Sequence, residues 1–340
     1  MSLSISRRSV VSGAAYAFGV TTASAVAPIL PSALAAESPE GGLSTQEHWV
    51  TDGDVRLYAY RKQAVGKEKR KPVLLLSHGS SVSSVPSFDL RIPGRSGFSM
   101  MDFFAHRGFD VWTFDCEGYG KSSRTGGNSN IARGVFDLQR VAEFIRQKTG
   151  EETGEAKLFL FGESSGALRV GGFAQNFPNQ VSGLAMSSLS YMGTGSSTLS
   201  QRKEQLQFFQ THDRRPRDRD MIASIFTRDK AGTYDPAVPE ALANMELAIP
   251  DNETVPTGTY LDMVTILPVL DPKKNLVPTM IVRGEYDGIA TESDVLDYFS
   301  QIACSDRAYQ LLAGATHAVC WGNQRLVAWK AIAGFFDNGR

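Results

Sequence analysis

The residues best placed to do chemistry lie at 159–166, in the run Phe159-Leu160-Phe161-Gly162-Glu163-Ser164-Ser165-Gly166. A short apolar stretch leads through Gly-x-Ser-x-Gly into an Ala-, Leu- and Val-bearing segment that can be helical. A serine held at a sharp strand-to-helix turn presents its hydroxyl clear of the backbone. Gly162 and Gly166 flank Ser164 where a β-carbon would collide with the neighbouring strand and helix. A serine hydroxyl is a poor nucleophile near neutral pH, so a base must take its proton during attack. Histidine can be neutral before attack and cationic after it, and a buried carboxylate beside it fixes its tautomer. The chain holds five histidines: His48, His78, His106, His212 and His317.

Positioning such groups takes a scaffold, and the hydrophobic pattern describes one. Glu47–Val50, a turn at Asp52-Gly53 and Val55–Tyr60 read as a β-hairpin. Pro72–Ser77, Phe109–Phe114, Leu158–Phe161, Val181–Met186 and Thr279–Arg283 are nearly continuous apolar runs. Strands of that kind are buried on both faces, as in a parallel sheet. Helical patterns separate them: Met100–Arg107 closed by Gly108, then Val135, Leu138, Val141, Ala142 and Ile145 on one face. Asp294–Ile302 is amphipathic, Arg307–Leu312 reads as a last strand, and Gln324–Phe336 as a closing helix. Strand–helix alternation predicts a mostly parallel central sheet with helices on both faces. Between Leu189 and Asp271 the alternation breaks. Leu242, Met245 and Ile249 there share a helix face, and an inserted helical cap is expected over 189–271.

The 340 residues carry 35 basic and 36 acidic side chains, for a formal charge of −1, without the basic footprint of a nucleic-acid binder. Three cysteines, Cys116, Cys304 and Cys320, are too few for a disulfide framework and lack zinc spacing. Residues 1–35 have the form of an export signal: Arg7-Arg8, an uncharged small-residue run, and Ala33-Leu34-Ala35 as a cleavage site. The arginine pair resembles a twin-arginine signal, with Val10 and Ser12 departing from the usual pattern. Periplasmic or secreted localisation is expected, with no stable membrane anchor after cleavage. Residues 36–45 read as a disordered leader, and 46–188 with 272–340 as the core.

From about residue 46 to 337 the sequence resembles an α/β-hydrolase-fold serine hydrolase of the esterase and lipase kind. Five motifs stand in that family's order. His78-Gly79-Ser80 follows the third strand, and Asp115-x-x-Gly118-x-Gly120-x-Ser122 the fourth. Gly162-x-Ser164-x-Gly166 follows the fifth, and Gly284-Glu285-Tyr286-Asp287 and Gly314-Ala315-Thr316-His317 follow the last two. The resemblance implies a triad of Ser164, Asp287 and His317. Some members place the acid after the sixth strand, but Val181–Lys203 contains no Asp or Glu. Glu285 is the alternative acid. His78 is expected to shape its own loop, and Asp115 to do structural work. The oxyanion hole implied is the backbone N–H of Ser165 with that of Ser80. The single Gly79 places the chain among the short-loop hydrolases.

The implied activity is hydrolysis of a small-molecule carboxylic ester through an acyl-enzyme, with no cofactor and no metal. Amidase, carbon–carbon bond hydrolase and cofactor-free perhydrolase activities share this fold; a catalytically inactive binding module is the non-enzymatic alternative. Tyr191, Met192, Phe208 and Phe209 are candidates for an apolar pocket under the cap. The cluster Asp213-Arg214-Arg215-Pro216-Arg217-Asp218-Arg219-Asp220 reads as a self-neutralising solvated face, with attraction of an anionic substrate as the alternative. Cys304 and Cys320 flank the His317 loop and could pair after export.

Overall fold

The computed structural model describes residues 42–66, 71–153 and 158–337. The export signal expected at 1–35 lies outside them. In chain order the core elements are β1 (Leu43–Asp52), β2 (Val55–Ala64), β3 (Val73–Ser77), α1 (Ser84–Phe88), α2 (Met100–Ala105), β4 (Asp110–Phe114), α3 (Ile131–Thr153), β5 (Leu158–Glu163), α4 (Ser165–Asn176) and β6 (Val181–Ser187). The insertion carries α5 (Ser197–Glu204), α6 (Leu206–Thr211), β7 (Arg214–Pro216), α7 (Arg219–Thr227), α8 (Ala237–Leu247), β8 (Thr254–Pro256) and α9 (Gly258–Thr265). The core resumes with β9 (Thr279–Gly284), α10 (Glu292–Gln301), β10 (Arg307–Leu312) and α11 (Arg325–Asp337).

Eight strands form one sheet in the order β1-β2-β4-β3-β5-β6-β9-β10. The two outer pairings, β1 with β2 and β2 with β4, are antiparallel, and all others are parallel. Side chains of a strand alternate between faces, and β3 shows both faces filled. Val73 and Leu75 join a cluster with Leu160, Ile281 and the apolar faces of α3 and α4. Leu74 and Leu76 join a separate cluster with Phe159, Phe161, Met101 and Trp329 on the α2 and α11 side. Each fully buried leucine or phenylalanine contributes on the order of 1.5–3 kcal/mol. The apolar runs are therefore continuous because both sides of the sheet are covered.

Two boundaries differ from expectation. β1 starts at Leu43 and pairs with Ala64 of β2, three residues before the core was expected to begin. An edge strand needs only backbone pairing, so the polar run Ser44–His48 hid it. The cap is not wholly helical: β7 and β8 pair antiparallel over Arg214↔Pro256, Arg215↔Val255 and Pro216↔Thr254. Three-residue strands are too short to show a period of two. Among the described residues no helix is long and apolar enough to cross a membrane.

Candidate active site

β5 ends at Glu163, α4 begins at Ser165, and Ser164 forms the corner between them. Its φ of 56° and ψ of −120° lie where L-residues rarely sit, a conformation costing on the order of 1–3 kcal/mol. The corner is held by Ser164 N–H donating to the Ser187 carbonyl and by the Ser164 carbonyl accepting from Ala167, both at 2.9 Å. A β-carbon on Gly162 would run into the Gly166 carbonyl, and one on Gly166 into the Ser77 carbonyl. The obstructions are backbone atoms, so only glycine fits either position.

Loops after β9 and β10 bring two further groups to the corner. His317 Nε2 lies 2.9 Å from Ser164 Oγ, and His317 Nδ1 lies 2.8 Å from Asp287 Oδ1. An ionised carboxylate only accepts, so Nδ1 carries the proton and Nε2 accepts from the serine hydroxyl. Asp287 Oδ1 also accepts from the Ile289 and Ala290 N–H groups, each at 2.9 Å. Burial alone would raise the Asp287 pKa. The adjacent imidazole and these hydrogen bonds outweigh it and hold the carboxyl below its ordinary value. Glu285, the alternative acid, instead accepts from Gly314 N–H on the exposed side.

The loop after β3 faces this triplet. Among the described residues, neither the Ser80 nor the Ser165 backbone N–H has a protein acceptor. Three carbonyls of this loop are tied down by arginine. Arg169 donates to His78 O at 2.8 Å, Arg215 to Ser80 O at 3.2 Å, and Arg217 to Ser81 O at 3.3 Å. His78 closes the loop from beneath: Nδ1 donates to Gly79 O at 2.6 Å, and Nε2 accepts from Cys116 N–H at 3.2 Å. Burial, with the charge of Arg169, pushes its pKa down to about 3, so the ring is neutral. Asp115 accepts from Ser84 N–H, Ser84 Oγ and Lys121 N–H, fixing the neighbouring turn.

A cavity of about 40 Å³ opens onto Ser164 and His317 and is bounded by Gly79, Ser80, Tyr260 and Trp321. An outer groove of about 420 Å³ is lined by cap residues together with Ser81. The two share Ser81, Arg202, Ile225, Arg228 and Tyr260. Phe208 and Phe209 line the outer groove. Tyr191 and Met192 line neither. Asp294 on α10 accepts from the N–H groups of Tyr191, Met192, Gly193 and Thr194 at 2.8–3.2 Å. That anchor draws the chain leaving β6 toward α10; Tyr191 packs on Tyr298 there, and Met192 is 47% exposed. Cys304 and Cys320, which could have paired, are both free thiols. Cys304 packs with the α3, α4 and α10 side of the sheet and Cys320 with the opposite side.

The arginine-rich stretch departs most from expectation. Arg217 is fully buried, 2.6 Å from the equally buried Glu246. Arg214 reaches Gly118 O at 3.0 Å and Thr254 O at 2.8 Å. Asp218 caps α7 by accepting from Met221 N–H. Arg215 and Arg217 are therefore turned inward to brace the Ser80 loop, while Asp213, Pro216, Asp218, Arg219 and Asp220 stay exposed as expected. Asp229 accepts from His317 N–H at 3.1 Å while pairing with Arg228 at 3.0 Å, joining the cap to the histidine loop. Arg169 alone left a trace in the sequence, a charge within the apolar stretch that follows Ser164. Among the described residues no cluster of three or more His, Cys, Asp or Glu could hold a metal ion.

The family described as serine aminopeptidase, S33, matches residues 98–323. The chain belongs to this family of α/β hydrolases. No curated protein matches the sequence. Among solved structures, a thermophilic esterase from Thermogutta terrifontis is similar at 18% identity and TM-score 0.62, over 86% of this chain and 99% of that one. The 2-hydroxy-6-oxo-6-phenylhexa-2,4-dienoate hydrolase of Rhodococcus sp. strain RHA1 has 14% identity and TM-score 0.62, over 87% and 100% of the two chains. A monoacylglycerol lipase of Paleococcus ferrophilus has 18% identity and TM-score 0.58, over 84% and 99%. Identities this low speak to the fold alone. With the family, they make the protein an α/β-hydrolase-fold enzyme.

Proposed function

We propose that the protein hydrolyses a carboxylic ester by nucleophilic catalysis at Ser164. The observation that carries this reading is the hydrogen-bonded series Ser164–His317–Asp287, at 2.9 and 2.8 Å, beside the Ser80 and Ser165 backbone N–H groups, which have no acceptor among the described residues. Ser164 Oγ attacks the carbonyl carbon while His317 Nε2 takes its proton. The oxygen of the tetrahedral intermediate is then an anion that the Ser80 and Ser165 N–H groups stabilise. Collapse breaks the bond to the alcohol oxygen, and the alcohol leaves with the proton from His317. Water attacks the acyl-enzyme, gives its proton to His317, and releases the acid as Ser164 is reprotonated. Asp287 stays ionised and steadies the imidazolium. The 40 Å³ inner cavity has room for only a few water-sized groups. The reacting carbonyl fits there, and the outer groove takes the rest of the substrate.

The test is turnover of p-nitrophenyl esters by wild type and Ser164→Ala. Loss of kcat by about four orders of magnitude or more, in a variant that folds normally, is expected. A variant that keeps wild-type turnover would sink the assignment.

A further inference from the structure

The groove leading to Ser164 is crowded with guanidinium groups. Arg202 of α5, Arg215 of β7 and Arg228, just after α7, all line it. Two of them surround one ring: Arg202 Cζ lies 3.8 Å and Arg215 Cζ 4.3 Å from the Tyr260 ring centroid. Arg202 Nη2 also reaches the Tyr260 hydroxyl at 3.2 Å. Arg215 Nη2 is spent on Ser80 O and Ser81 Oγ, and its Nε is buried without a partner. Among the described residues neither Arg202 nor Arg215 has a carboxylate within ion-pair distance; Arg228 pairs with Asp229, which also accepts from His317 N–H. Three like charges therefore face a shared space with one carboxylate between them. Even with the Tyr260 hydroxyl ionised, the balance stays positive. Burial, with the like charges of Arg228 and Arg215, outweighs Tyr260 and Asp229 and holds Arg202 below the ordinary guanidinium value.

Three arginines kept together with one carboxylate among them, next to Ser164, are a receptor for an anion, and the planar guanidinium fork suits a carboxylate. We propose that this groove is a carboxylate subsite, and that the substrate is an ester carrying a free carboxylate at the end remote from the scissile carbonyl. Arg202 and Arg228 border both the groove and the inner cavity, so a chain anchored there reaches Ser164 without leaving the cleft. The proposal rests on Ser164 as nucleophile. It also disfavours substrates with a free α-amino group, whose ammonium would enter a cationic groove.

The experiment compares p-nitrophenyl monoesters of glutaric, adipic and suberic acids with p-nitrophenyl esters of matched length ending in methyl. The expected kcat/KM is about 10- to 100-fold higher for the best acidic ester, the range of charge-assisted hydrogen bonding. The advantage shrinks as sodium chloride is raised, and Arg202→Gln lowers the acidic-to-neutral ratio by about 10-fold or more. A second measurement needs no variant: adipate slows fluorophosphonate labelling of Ser164, and adipamide does not. Equal turnover of acidic and neutral esters at low salt, or preference for an aminoacyl p-nitroanilide, overturns the subsite. With Ser164 still labelled, that result leaves the nucleophile standing; absent labelling and turnover on every ester defeats the nucleophile instead.

Discussion

Arg217→Met probes the buried brace behind the loop proposed to hold the oxyanion. Arg217 is 1% exposed. Its guanidinium pairs with Glu246 at 2.6 Å, donates twice to Asn252 O at 3.1 and 2.7 Å, and reaches Ser81 O at 3.3 Å. Methionine fills similar space and supplies none of this. Glu246 would keep its bonds from Ser83 N–H and Asn252 Nδ2 but lose its counter-charge. Removing one partner of a buried pair costs about 3–5 kcal/mol, because the remaining charge is uncompensated. Adding Glu246→Gln removes that charge, so the double variant should lose only about 1–2 kcal/mol, the cost of the unpaired carbonyls. The double variant is thus expected to be more stable than Arg217→Met alone. Urea unfolding of wild type, both single variants and the double variant measures this coupling. Catalysis gives a second readout. A freed Ser81 carbonyl lets the Ser80 N–H drift, and losing one oxyanion donor is worth about 3 kcal/mol. The kcat of Arg217→Met should fall by up to about 100-fold with KM little changed. A loss below about 1 kcal/mol, the range of an exposed pair, with kcat intact, would mean that Arg217 does not brace the loop.

Three further outcomes follow. Gly166→Ala should destabilise the fold by about 2 kcal/mol or more, because its β-carbon meets the Ser77 carbonyl and no side chain can move aside; an unchanged melting temperature would contradict the elbow's packing. His78, with its pKa lowered from 6.5 to about 3, leaves the unfolded chain binding the extra proton between those values. Stability should therefore fall as pH drops from about 6.5 to 3, by at most about 1.4 kcal/mol per pH unit from this residue, and His78→Asn should flatten that slope. Burial would raise the Tyr260 pKa, but Arg202 and Arg215 outweigh it and bring it to about 7. A tyrosinate absorption band with a midpoint near 7, missing in Tyr260→Phe, is expected; titration only in the ordinary tyrosine range would remove this support for a net-positive arginine cluster.

The fold was legible because its core strands are buried on both faces, which writes Leu74-Leu75-Leu76 and Phe159-Leu160-Phe161 as unbroken apolar runs. Gly162, Ser164 and Gly166 were legible because backbone carbonyls exclude every other residue at the two glycines. The cap resisted for a different reason. Arg214, Arg215 and Arg217 alternate with aspartates, and alternating charge normally marks a solvated surface. Here the partners are remote: Glu246 lies 29 positions beyond Arg217, and the Ser81 carbonyl 136 positions before it. Backbone carbonyls as partners carry no side-chain signature at all. Tyr191 and Met192 misled for the same reason, since the anchor that draws them aside is Asp294, roughly 100 residues later.

The proposed nucleophile is Ser164 Oγ, acting with His317 and Asp287. It is tested most directly by reacting the protein with a fluorophosphonate and locating the adduct by peptide mass spectrometry. One phosphonyl group on the peptide carrying Ser164 is expected, lost in Ser164→Ala and strongly slowed in His317→Ala. An adduct on another serine, or labelling of Ser164→Ala at the wild-type rate, would contradict the account.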